Sequence, residues 1–188
     1  MIRVVCWGLG AMGSGIARNA AKKDQIRVVG GIDTDERLKG KDLGEFLGFK
    51  KPMGVKIESD PAKVLNETYP DIVIIATNSF VSNVLPQIMQ CVERHINVIT
   101  IAEEMAYHFE SHDEAAQLID GMAKKYGVTV LGTGINPGFV LDQATARFNE
   151  ILPTLHLPVT VKVAPSGDAE VQRRVGIDLD GEAHRYFT

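Results

Sequence analysis

Trp7-Gly8-Leu9-Gly10-Ala11-Met12-Gly13 closes the apolar run Arg3-Val4-Val5-Cys6-Trp7 and opens a helix-forming stretch, and Asp33 follows twenty residues after Gly13. Three glycines spaced in this way, directly after a strand, have separate physical tasks. Gly8 permits a tight turn, Gly10 lets the backbone approach a pyrophosphate, and Gly13 allows close packing of helix against sheet. A helix that begins at such a turn presents unpaired amides and the positive end of its dipole to phosphates. Asp33, at the end of the second strand, is in place to accept hydrogen bonds from the hydroxyls of an adenosine ribose. A tight turn without a ligand would use the same glycines. The strand before them, the helix after them and the spacing to Asp33 favour a dinucleotide.

The dinucleotide side therefore comprises Gly8, Leu9, Gly10, Ala11, Met12, Gly13 and Asp33, with Arg37 beyond them. Asp33 favours NAD, because a carboxylate repels the 2′-phosphate of NADP. Arg37, Lys39 and Lys41 would meet that phosphate if their loop folds back, and a solvated charged loop explains them equally well. NAD is the expected cofactor, with NADP left open. No flavin-sized second domain is expected within these 188 residues, which favours a nicotinamide over FAD.

Outward from the glycine turn, strand and helix patterns alternate over the first 140 residues, as parallel βαβ units require. Strands are expected at 3–7, 26–32, 71–76, 97–102 and 128–131. Helices are expected at about 12–23, after the Asp60-Pro61 start, within 80–94 and at about 111–125. Leu43 to Leu47 reads as a short helix in a loop. Pro86 should start or kink its helix, since proline lacks the donor and clashes with the preceding turn. Ala115, Leu118, Ile119 and Met122 form the expected inward face of the helix at 111–125. The fold expected is an α/β, Rossmann-type doubly wound parallel sheet, domain 1–142, followed by a short strand-rich extension at 143–188. In that extension, 139–151 reads as a leading helix, 159–163 as a strand and 175–187 as a hairpin turning at Asp180-Gly181.

Ligands of open parallel sheets bind beyond the carboxyl ends of the strands. Three polar segments fall there: Thr77-Asn78-Ser79, expected beneath the nicotinamide ribose; Glu103-Glu104; and Gly132-Thr133-Gly134-Ile135-Asn136-Pro137-Gly138, in which Asn136 is the candidate to hold substrate or nicotinamide.

Composition narrows the partners. The 188 residues are 45% hydrophobic and 23% charged with a net charge of -4, which argues against a disordered chain and against a nucleic-acid partner. No apolar run is long enough for a membrane span, and Met1 to Val5 lacks the sections of a secretory signal. A cytoplasmic location is expected, with Cys6 and Cys91 as buried thiols in a reducing compartment. His95, His108 and His112 do not form a metal motif, and no metal is expected. A homodimer would cover the unpaired C-terminal strands.

Taken together, Trp7 to Gly13, Gly40-Lys41-Asp42-Leu43-Gly44, Pro86-Gln87-Ile88, Asn97-Val98-Ile99-Thr100 with Ala102-Glu103-Glu104, and Gly132 to Phe139 resemble the nucleotide-binding half of the 2,4-diaminopentanoate dehydrogenase family, within the wider dihydrodipicolinate reductase-like group. The resemblance covers about residues 1–142. It implies NAD(P)-dependent oxidation of a carbon bearing an amino group, with release of ammonia, and a small amine or amino acid as substrate. It also implies an acidic residue after the fifth strand that activates the amine, a role that falls to Glu104, or otherwise to Glu103. Adjacent residues leaving a strand point to opposite sides, so one of the two is expected to face the cofactor. Alternatively, the pair would cap a neighbouring segment. Ala144 to Thr188 does not match the family's substrate domain, and the histidine-lysine pair of the reductases has no counterpart, since His156 and His184 are isolated. A reductase of that type, and a dinucleotide-binding domain with little turnover, are the alternative readings.

Overall fold

The computed structural model describes residues 1–105 and 113–134, together with the backbone of strands at 159–163, 175–179 and 182–185. The chain divides into two compact units, Met1–Gly132 and Thr133–Thr188.

In the first unit the elements run β1 (Ile2–Trp7), α1 (Ala11–Ala20), β2 (Ile26–Ile32), α2 (Leu43–Phe46), β3 (Ile57–Glu58), α3 (Pro61–Thr68), β4 (Ile72–Ile75), α4 (Val81–Val92), β5 (Asn97–Thr100), a 3₁₀ turn at Glu103–Met105, α5 (Asp113–Tyr126) and β6 (Val130–Gly132). The strands form one six-stranded sheet in the order β3-β2-β1-β4-β5-β6, and every neighbouring pair is parallel. Chain order thus runs outward in one direction from β1 to β3 and in the other from β4 to β6. The reversal between β1 and β4 is the switch point where such sheets open a crevice.

Parallel strands covered on both faces must be apolar on both, and β1 shows how. Val5 and Trp7 enter one core with Val64 and Leu65 of α3 and Val81, Val84 and Ile88 of α4. Val4 and Cys6 enter the opposite core with Ala17 and Ala20 of α1 and Leu43 of α2. In β4, Val73 and Ile75 are fully buried, each stabilising the fold by roughly 1.5–3 kcal/mol. Cys6 and Cys91 are free and buried.

Helix ends follow local chemistry. The Asp60 carboxylate accepts the Lys63 amide at 3.2 Å, with Pro61 in the first turn, and α3 stops at Tyr69 in a left-handed conformation, just before Pro70. Asp42 caps α2 by accepting from Gly44 and Glu45, and it also accepts from Met53 and Gly54 across the loop.

Two expectations need correction. Helix α4 starts at Val81, five residues before Pro86, so the proline does not open it. Pro86 lies on the exposed side while Val84, Ile88 and Cys91 are buried, so burial on the inner face outweighs the one missing backbone bond. In α5, Ala115, Ile119 and Met122 face the core as expected, but Leu118 is 46% exposed and Ala116 is buried in its stead. Strand β3, two residues long, was not anticipated.

The second unit contains a three-stranded antiparallel sheet, β7 (Val159–Val163), β8 (Val175–Leu179) and β9 (Glu182–Arg185), in that order. Leu179 opposes Glu182, so the two strands of the anticipated hairpin pair; its turn at Asp180-Gly181 lies outside the described residues. The helix anticipated at 139–151 lies outside the described residues. No helix among the described residues is long and apolar enough to cross a membrane.

Candidate active site at the carboxyl edge of the sheet

The chain leaves β1 through Gly8, whose amide donates to the Ile32 carbonyl at 2.8 Å. Gly8 has φ +91°, a region unfavourable to other residues, and a Cβ there would lie 2.5 Å from the Ala76 carbonyl oxygen. The exits of β1 and β4 therefore touch at this glycine, at the switch point. Gly13 is equally constrained: its Cβ would fall 1.8 Å from the Gly8 carbonyl oxygen. Gly10 is different. It is the N-cap of α1, offers no side-chain cap and is followed by no acidic residue in the first turn, and a Cβ on it would meet nothing within 4 Å. Protein packing does not require glycine at this position. The helix end it opens carries the partial positive charge of aligned peptide dipoles with no acidic residue in its own first turn, a fit for a pyrophosphate.

Beside this helix end lies Asp33. Its Oδ2 accepts the Leu9 amide at 2.7 Å and its Oδ1 accepts the Asp35 amide at 2.9 Å. Each carboxylate oxygen keeps a further lone pair for an external hydroxyl. Leu9, Gly10, Ala11 and Ser14 on one side and Asp33, Asp35, Arg37 and Lys41 on the other line an open cleft of about 550 Å³. Sequence reasoning singled out Arg37 and overlooked Asp35. The Arg37 guanidinium is engaged by Asp35 through Nε to Oδ1 at 2.9 Å and Nη2 to Oδ2 at 2.7 Å, and the Arg37 amide donates to the same carboxylate. The guanidinium hydrogen bond holds the Asp35 carboxyl down at about 2. An acidic residue two positions before an arginine in a loop is the signal that was available.

The β4 exit, Thr77-Asn78-Ser79, is exposed and held by three different contacts. The Thr77 hydroxyl donates to Gln87 Oε1 at 2.7 Å, Asn78 Oδ1 accepts the Phe80 amide, and the Ser79 carbonyl accepts the Glu104 amide at 3.2 Å. Glu104 completes this link: its Oε2 accepts the Val81 amide, the first of α4, at 2.8 Å. Phe80 at the N-cap has no side chain able to do so, and a carboxylate from another strand end takes its place. Glu104 is half-buried and Glu103 exposed. Because both stand in a 3₁₀ turn, they do not alternate as they would on a strand. At the end of β6, a Cβ on Gly132 would lie 2.2 Å from the Met105 carbonyl oxygen, so this strand exit is pressed against the turn that carries Glu104.

The structure thus assembles the glycine turn, Asp33 and Arg37 around one cleft, and connects Thr77, Asn78 and Ser79 to Gly8 on one side and Glu104 on the other. Asn136 lies outside the described residues. No group of three His, Cys, Asp or Glu side chains among the described residues could hold a metal ion. A second cleft, of about 430 Å³, is lined by Arg3, Ile26 and Arg27, at the opposite, amino ends of β1 and β2. Its Arg3 guanidinium is occupied by the carbonyls of Thr68 and Tyr69.

A doubly wound parallel sheet with this glycine turn at its switch point defines a Rossmann-type domain. Residues 2–131 match the family described as dihydrodipicolinate reductase, N-terminus, and the chain belongs to that family. It is 35% identical over 188 residues to 2,4-diaminopentanoate dehydrogenase of Acetoanaerobium sticklandii, covering 95% of this chain and 52% of that protein, so the likeness runs beyond residue 142 into the segment from Ala144 onward that was expected not to match. It is 25% identical over 186 residues to 4-hydroxy-tetrahydrodipicolinate reductase of Methanothermobacter thermautotrophicus, covering 78% of this chain and 68% of the relative. Among solved structures, an amine dehydrogenase from Mycobacterium smegmatis superposes with a TM-score of 0.74 at 36% identity, over 79% of this chain and 44% of that one. The chain therefore spans about half the length of the 2,4-diaminopentanoate dehydrogenase and less than half of the amine dehydrogenase.

Proposed function

We propose that the chain is the nucleotide-binding part of an NAD(P)-dependent amine dehydrogenase that oxidatively deaminates a small diamine or amino acid of the 2,4-diaminopentanoate kind, with residues 1–142 forming the dinucleotide domain. The observation that carries this reading is the α1 terminus: a helix end with no side-chain cap, opened by a glycine that packing does not require, beside an oriented carboxylate. The identity to 2,4-diaminopentanoate dehydrogenase and to the amine dehydrogenase supports the amine as substrate class.

When bound, the dinucleotide supplies a hydride acceptor. The α1 amides would hold its pyrophosphate and Asp33 its adenosine ribose hydroxyls. Loss of hydride from the carbon bearing nitrogen leaves a cationic carbon-nitrogen double bond in the substrate, to which water adds before ammonia departs. Glu104 would stabilise that charge or accept the proton of the attacking water. Asn136 would hold substrate or nicotinamide.

The test is absorbance in the NADH band with purified protein, NAD or NADP, and 2,4-diaminopentanoate. A rise that needs both substrate and cofactor supports the reading, and Glu104→Gln should then lower turnover more than NAD affinity. Oxidation of NADH or NADPH by 4-hydroxy-tetrahydrodipicolinate in a separate assay, with no diamine oxidation, would favour the reductase alternative, which the 25% identity to that enzyme keeps in view. Nucleotide binding without turnover of any amine would leave a dinucleotide-binding domain.

A further inference from the structure

The loop after β2 contains an ion pair that the proposed function does not use. Asp35 and Arg37 both line the cleft beside Asp33, and they bind each other through one guanidinium edge, the Nε and Nη2 side described above. Apart from that pair the Arg37 side chain is 87% exposed. The Nε/Nη2 edge of its fork, a geometry that suits a phosphate, is spent on a neighbour two residues away. Asp35 also contributes its backbone amide to Asp33 Oδ1, so the ribose-binding carboxylate and the ion pair are parts of one turn. Lys41 lines the same cleft. Lys39 is paired with Glu36 at 3.7 Å, outside it.

We propose that Asp35 sets the dinucleotide preference of this cleft by holding Arg37 in a bidentate pair and placing a second carboxylate beside Asp33, so that a ribose 2′-hydroxyl is accepted and a 2′-phosphate rejected. The inference rests on the dinucleotide reading of the cleft and assigns its selectivity to a residue that does not itself meet the ribose. A 2′-phosphate entering here faces two carboxylates and must compete with Asp35 for the Nε/Nη2 edge of the guanidinium. Removing the Asp35 side chain leaves the backbone bond to Asp33 intact and frees the fork. The residue then changes from a competitor of the phosphate to none.

The experiment is a pair of fluorescence titrations, NADH and NADPH, on the native chain, Asp35→Ala, Asp35→Asn, Arg37→Ala and the Asp35→Ala/Arg37→Ala double variant. The NADPH-to-NADH affinity ratio is expected to rise about tenfold in Asp35→Ala, as a charge-assisted bidentate contact to phosphate becomes available. It should rise by a smaller amount in Asp35→Asn, which keeps an acceptor for the Arg37 amide, and fall back in the double variant. Arg37→Ala alone should move the ratio little. An unchanged ratio in both Asp35 variants overturns the proposal, as does a loss of NADPH affinity in Arg37→Ala as large as the gain expected from Asp35→Ala, since Arg37 would then already serve the phosphate. Failure of the native chain to bind either nucleotide overturns the dinucleotide reading itself, which an unchanged ratio with both nucleotides bound does not.

Discussion

Gly10 and Gly13 belong to the same motif and answer to different neighbours. A Cβ at Gly13 would strike the Gly8 carbonyl, a backbone atom that cannot step aside, whereas at Gly10 it would enter open space. Gly13→Ala should therefore cost about 3 kcal/mol of stability in a denaturant titration, at the upper end of overpacking effects. Gly10→Ala should cost less than ~1 kcal/mol, the difference between glycine and alanine at a helix N-cap. Nucleotide affinity should show the reverse: Gly10→Val abolishes NADH binding while the domain stays folded. Asp35 supplies a pH test. Its carboxyl is lowered from 3.8 to about 2 by Arg37. The pair's contribution is thus complete above about pH 4 and is lost as the pH falls through 2, which a carbon-13 NMR titration of the Asp35 carboxyl would follow. Arg37→Ala should return that midpoint toward 3.8.

Helix α4 shows how contacts remote in sequence complete an element. Its first amide is answered by Glu104, twenty-three residues on, and its second turn tolerates Pro86 on the exposed side. Pro86→Ala restores one backbone donor and removes a ring clash, so it should raise stability by about 1 kcal/mol or more, measurable as a higher Tm. Such elements also mark how far local reasoning reaches. Strand β2 was legible residue for residue, because Val28 and Ile32 with Asp33 carry both burial and the turn that ends it. The start of α3 was legible in Asp60-Pro61 alone. Strand β3 was not, since two residues make no period. The orientation of α5 was misjudged at Leu118, because an apolar side chain in a helical pattern does not say how the helix rolls on its sheet. At the site, the glycine turn and Asp33 could be read from spacing. The Asp35–Arg37 pair and the Glu104–Val81 bond could not, because each depends on how a loop closes in space.

At the scale of the molecule, the two faces of the sheet each seal one thiol. Cys6 lies in the core beneath α1 and Cys91 in the core beneath α4, and burial pushes both thiols up to about 12. A maleimide at neutral pH should modify neither in the native domain and both in denaturant, counted by mass spectrometry. With folded values raised from 9.0, both thiols stay protonated through the neutral range. Their stabilising contribution is complete below about pH 9 and is lost as the pH rises toward 12.

The bonds from Leu9 and Asp35 to Asp33 join the β1 exit to the β2 exit through a single carboxylate. That side chain has no rotamers left to surrender when a ligand arrives. The ordering cost, about 0.5–1.5 kcal/mol for a side chain immobilised on association, is met when the sheet folds. Preorganisation of this kind makes the cleft's affinity depend on the register of β1 against β2, so a mutation that slips those strands would be felt as weaker binding long before it was felt as unfolding.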